Sequence, residues 1–180
     1  MPFPAKISRR LIVTDTQEAE VIFRQAVAYA AGAMAINEVL TPDKTVDNFE
    51  PLPYILNLSF AIELFMKALL KCESKDCRGH LYLSLFDKLS DTNQRALLSA
   101  YRQKRRNTNM SQDEFRNEIS SINNTFVQWR YVYESKNTTL RMRCLVAIAN
   151  AAMDTNLKKQ PTWKCYRKLI GRAKTHNLRA

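Results

Sequence analysis

The run from Asn57 to Leu70, NLSFAIELFMKALL, is apolar on nearly every face. A helix of that kind belongs in the middle of a bundle, because any surface position would leave one greasy face in water. Its only charged residues, Glu63 and Lys67, stand four apart and so share one face, one turn from each other. Burying two charges costs several kcal/mol unless they are paired, so the run demands polar partners on a neighbouring element. Whatever else the chain does, it must wrap this helix and answer those two charges.

The rest of the sequence supplies helices to do so. Asp15-x-x-Glu18 has the form of a capping box, opening an Ala-rich run to Leu40 that Thr41-Pro42-Asp43 ends. The central helix is expected from about Pro53 to Lys71. After a polar loop, Leu81, Leu85 and Leu89 recur at helical spacing with Tyr82 and Phe86 beside them. Ser90-Asp91-Thr92 caps a further helix with Leu97, Leu98 and Tyr101 facing inward. Ser111-x-x-Glu114 is a second capping box, ahead of Phe115, Ile119 and Ile122 and a break at Asn123-Asn124. Thr138 or Thr139 is expected to cap a long helix reaching Leu157, and Pro161-Thr162 starts a last one with Trp163, Tyr166, Leu169 and Ile170 as its stripe. No stretch alternates like a strand, and three glycines are too few for a many-turned β fold or a Gly-rich phosphate cradle. The expected product is all-α, a single bundle of six to seven helices. An N-terminal arm spans 1–14, the bundle 15–157, and a basic C-terminal helix on the same domain 158–180.

Charge sets the class of partner. The 28 Lys and Arg outnumber the 17 Asp and Glu by 11, and the excess is uneven. From Lys158 to Ala180 there are eight basic residues and no acid, and Arg102, Lys104, Arg105 and Arg106 form a second cluster. Such asymmetry favours polyanions through counterion release, so Arg102, Lys104, Arg105, Arg106, Lys164, Arg167, Lys168, Arg172 and Lys174 are candidate phosphate contacts. The N-terminus lacks the basic segment and apolar core of a secretory signal, and no uninterrupted apolar run reaches the length of a membrane span. A cytoplasmic protein with no membrane partner is expected. Cys72, Cys77 and His80 form Cys-x4-Cys-x2-His without an evident fourth ligand, so reduced thiols, no metal and no cofactor are expected.

Three segments together resemble the HEPN superfamily across residues 20–157: AIELFMKALL at 61–70, Gly79-His80-Leu81 through Leu89, and Phe126-x2-Trp129-Arg130-Tyr131-x-Tyr133-Glu134. The resemblance implies a small helical bundle, often dimeric, in prokaryotic stress and defence systems. Many such domains bind RNA. Some cleave it without metal through an Arg-x4–6-His signature on a late helix, with two copies meeting across a dimer. Arg130 stands where that Arg would be, but Tyr-Val-Tyr-Glu-Ser-Lys-Asn follows it with no histidine.

Metal-free cleavage needs a base at the 2′-OH, a proton donor at the leaving oxygen and a cation over the phosphate. Arg130 fits the cation, and Glu134, Tyr133 and His80 are the candidates for proton handling. Equally, Arg130 with Glu63 and Glu134 with Lys67 would make a buried polar network that needs no substrate. The expectation is therefore an RNA-binding module with little or no catalysis, homodimeric, with a possible partner protein of a defence or toxin–antitoxin pair. The alternatives are a metal-independent endoribonuclease using Arg130 and a protein-interaction scaffold.

Overall fold

The computed structural model describes residues 14–40, 52–130 and 141–168, with the backbone alone at Val39, Leu40, Val127 and Arg130. Among the described residues every regular element is helical, in the order α1 (Asp15–Leu40), α2 (Leu52–Lys71), α3 (Tyr82–Lys88), α4 (Asp91–Arg105), α5 (Gln112–Ser121), α6 (Thr125–Arg130) and α7 (Met142–Lys159), then a 3₁₀ turn at Pro161–Trp163. The all-α bundle read from the sequence is thus the observed fold.

α1 and α2 form an antiparallel hairpin. Lys71 at the end of α2 reaches Glu18 at 2.6 Å and Asp15 at 3.5 Å at the start of α1. Further along, Phe23 meets Phe65 with ring centroids 5.6 Å apart, and Tyr29 meets Phe60 edge-on at 4.6 Å. Ala19, Ala26, Ala30 and Ala33 are buried on α1, and small side chains there let the two axes approach closely. The remaining helices close round α2. Phe126 of α6 stacks on Phe60 at 5.8 Å, and the Tyr82 hydroxyl at the start of α3 donates to the Ser59 carbonyl at 3.0 Å. Asn156 of α7, fully buried, donates through Nδ2 to the Phe65 carbonyl at 3.0 Å and to Ala152 at 2.9 Å. By length and composition α2 could cross a membrane. Here most of it is buried in the protein, and it carries a buried carboxylate, as a core helix can.

Two local readings are corrected, and a third falls outside the described residues. The capping box of α1 is Thr14 with Gln17, not Asp15 with Glu18: the Gln17 amide donates to Thr14 Oγ1 at 3.2 Å, and Gln17 Oε1 accepts from the Thr14 amide at 2.9 Å. Asp15 and Glu18 are drawn to Lys71 instead. Leu81, placed on the apolar face of α3, is its extended N-cap and is 45% exposed, while Leu85 and Leu89 are buried. Among the described residues α7 begins at Met142 after Arg141, without a side-chain cap; Thr138 and Thr139 lie outside them. Other signals hold: the Ser111–Glu114 capping box is complete, and the Asn123-Asn124 break separates α5 from α6. Asn123 uses that break to accept the Leu83 amide at 2.9 Å through Oδ1.

Glu73, in the loop after α2, is the strongest polar anchor of α4. Its Oε2 accepts the Ser90 amide at 2.9 Å, and its Oε1 accepts the Ser90 hydroxyl and Asn93 Nδ2 at 2.5 Å. Burial raises its pKa, but the bonds from Ser90 and Lys75 outweigh burial and hold it below its ordinary value. A depressed carboxylate adds stability above its unfolded pKa, and that stability is lost as pH falls through the folded one. Glu73→Ala is expected to cost about 2–3 kcal/mol near neutrality. The gap to wild type should shrink below pH 4.5, the carboxyl's ordinary value. Urea titrations at neutral and acid pH check this, and a gap independent of pH would contradict it.

Candidate functional site

The two charges on α2 are answered by the loop that leads into α3. Gly79 has φ +106°, a region that L side chains rarely adopt. The turn it makes sets His80 beside α2. Glu63, only 2% exposed, receives Lys67 Nζ at 2.8 Å and His80 Nδ1 at 3.0 Å, both on Oε1. An ionised carboxylate can only accept, so Nδ1 carries the proton and Nε2 has no hydrogen-bond partner among the described residues. The imidazole is 76% exposed, so it stands at the surface over a buried acid. Tyr82 lies close by, and burial pushes its phenol far above the usual range, which keeps it neutral.

Of the expected four-residue network, Glu63 and Lys67 are thus brought together, with His80 as the third member. Tyr133, Glu134 and the side chain of Arg130 lie outside the described residues. Trp129 of α6 is partly buried against the core. The Cys-x4-Cys-x2-His residues are not gathered as ligands, since His80 turns to Glu63 and Cys72 accepts from Gln160 Nε2 at 3.9 Å. Among the described residues no three His, Cys, Asp or Glu side chains group to hold a metal. Burial pushes Cys144 up to about 12, and it sits against Tyr101 and Glu118 as a packing residue.

The basic residues divide by what already holds them. Arg102 donates through Nε to the Met110 carbonyl at 2.8 Å and also through its terminal nitrogen, closing the loop after α4. That makes Arg102 a loop clasp rather than a phosphate contact. Lys104 meets Asp154 of α7 at 2.6 Å, and Arg167 meets the same carboxylate at 3.5 Å. Arg105, Arg106, Lys164 and Lys168 are exposed, while Arg172 and Lys174 lie outside the described residues.

Around these side chains two open grooves run along α7. One, of about 440 Å³, is lined by Lys104, Arg105 and Arg106 from the end of α4 and by Arg143, Val146 and Asn150 from α7. The other, of about 540 Å³, is lined by Asp154, Leu157, Lys158, Pro161, Lys164 and Arg167. Among the described residues no aromatic side chain lines either groove. The nearest indole, Trp163, is 2% exposed and stacks on Phe23 at 4.9 Å. Arg106, Arg143, Lys158 and Lys164 make no ion pair among the described residues. Arg141 and Arg143 were not among the candidates from sequence. The signal for them is the Arg-x-Arg at 141–143, directly before a core helix, where basic side chains project from its first turn. The arrangement sets exposed cations beside an apolar floor, which suits a phosphodiester backbone and gives no base readout. Comparison with protein-family models, with curated proteins and with solved structures returns no match for this chain.

Proposed function

We propose that the protein is a HEPN-like RNA-binding module whose phosphate-holding surface is the basic face shared by α4 and α7. The observation that carries this is the groove in which Arg105 and Arg106 of one helix face Arg143 of another. Cations from separate elements on one surface repel each other, and a bound polyanion relieves that repulsion. The HEPN-like part of the reading rests on the sequence segments around Glu63, His80 and Arg130. With it come a homodimer, a role in stress or phage defence, and a possible partner protein.

Roughly five cations in contact with a single strand predict a slope of log K against log salt of about −3.5. Titration of labelled RNA at several salt concentrations measures it. Binding that is flat with salt, or no binding at low salt, would sink the reading.

One observation favours a second reading, a metal-independent endoribonuclease. His80 is held by buried Glu63 through Nδ1 with Nε2 free, which is how a proton-transferring imidazole is oriented. With Arg130 as the cation over the phosphate, Nε2 would take the 2′-OH proton. Incubation with RNA in excess EDTA separates the two readings. Cleavage that His80→Gln lowers by about 100-fold or more supports the enzyme, and intact RNA at every protein concentration rejects it.

A further inference from the structure

The two grooves lie on one face of one helix. Arg143, Val146, Asn150 and Asp154 follow at spacings of three and four, and Leu157 and Lys158 stand three and four beyond Asp154, the periodicity of a single helical stripe. At 1.5 Å per residue the stripe is about 22 Å long. Toward its C-terminal end, four residues before Lys158, stands an acid. Asp154, 19% exposed, holds Lys104 from α4 through Oδ2 at 2.6 Å and Arg167 from the C-terminal segment through Oδ1 at 3.5 Å. A carboxylate gripped by two cations from separate elements occupies the place that a backbone phosphate would take in a continuous basic track.

We propose that the α7 face from Arg143 to Lys158 is one continuous track for single-stranded RNA, with Asp154 as an internal phosphate mimic that keeps Lys104 and Arg167 from the ligand. The proposal rests on the RNA-binding reading and adds the class of RNA, the path and the built-in restraint. A single strand is favoured because the stripe is narrow and walled in turn by the end of α4 along one groove and by Pro161, Lys164 and Arg167 along the other. The phosphates of one flexible strand can follow such a floor, whereas those of a duplex stand on a broad convex surface. With a rise of about 3.4 Å per stacked nucleotide, 22 Å accommodates about six nucleotides. Without RNA the acid offsets repulsion among Lys104, Arg105, Arg106 and Arg167. When RNA arrives, the same acid opposes the phosphate that passes over it, and both long cations must exchange partners.

The test is binding of a length series of single-stranded oligoribonucleotides to wild type, Asp154→Asn and the charge-matched control Asp91→Asn, at the exposed start of α4. Affinity is expected to level off at about six nucleotides. Asp154→Asn should tighten binding about tenfold at low salt and steepen the salt slope by about 1.4, as two cations are released to phosphate. Asp91→Asn should change affinity less than about twofold. Because the Asp154 contacts also join elements, Lys104→Gln reads the same contact from the other side. It leaves the acid bare in the track and should weaken binding more than Arg106→Gln does. If wild type binds RNA but Asp154→Asn gains no more than Asp91→Asn, the inference fails while the RNA reading stands. Equal binding of a duplex of the same length removes the single-strand assignment. No RNA binding by any variant overturns both.

Discussion

Phe23→Ala is expected to lower the stability of the protein by about 3–5 kcal/mol, the range for emptying an aromatic site in a core. Phe23 is fully buried and is the ring at which three parts of the chain meet. It touches Phe65 of α2 at 5.6 Å, stacks on Trp163 of the 3₁₀ turn at 4.9 Å and lies 6.4 Å from Tyr166. Removing it opens a void between α1 and α2 and deprives Trp163 of its stacking face. Since whole domains are stable by only about 5–15 kcal/mol, the variant should be folded but marginal. Urea denaturation would show a large drop in midpoint. A change below about 1 kcal/mol would mean that neighbouring side chains collapse into the space, contrary to the close packing described.

Binding should respond as strongly to charge. The double reversal Arg105→Glu with Arg143→Glu places two acids across the groove between α4 and α7 and should weaken RNA binding by about 100-fold at low salt. Both residues are exposed, so stability should change little. A distant basic residue such as Arg95, exposed on α4 near its start, provides the comparison. If Arg95→Glu weakens binding equally, net charge rather than a located surface governs the interaction. If neither variant has any effect, the groove is not where RNA lies.

Sequence and structure agree where physics is local. The all-round apolar run at 57–70 could only be a central helix, and α2 is one. Ser111 and Glu114 are three residues apart and satisfy each other's backbone, so their box was visible before the fold. At α1 the acids Asp15 and Glu18 mimicked the same pattern, because in sequence an acid at a helix start looks identical whether it caps or pairs across a hairpin. The site was less legible. His80 reaches Glu63 across seventeen residues, through a loop whose turn depends on Gly79, and no spacing rule encodes that closure. In the sequence Asp154 is a single acid in a largely apolar run, with nothing beside it to mark a role. Only the meeting of α4, α7 and the C-terminal segment reveals that two cations converge on it.

Asn156 gives the interior a further consequence. Its Nδ2 ties α7 to the Phe65 carbonyl, yet its Oδ1 is buried without a hydrogen-bond partner among the described residues. An orphaned acceptor costs about 1–3 kcal/mol, so the residue is a poor choice if stability alone is counted. Its value is positional. Ala149, Ala152 and Leu145 of α7 and Leu69 of α2 are interchangeable greasy surfaces that tolerate sliding by a turn. A single polar tooth permits only one registration, as a buried Asn does between paired helices. By fixing how far α7 is pushed along α2, Asn156 also sets the phase of Arg143, Asp154 and Lys158 against the cations of α4, so a residue wholly inside the protein calibrates the spacing of charges on its surface.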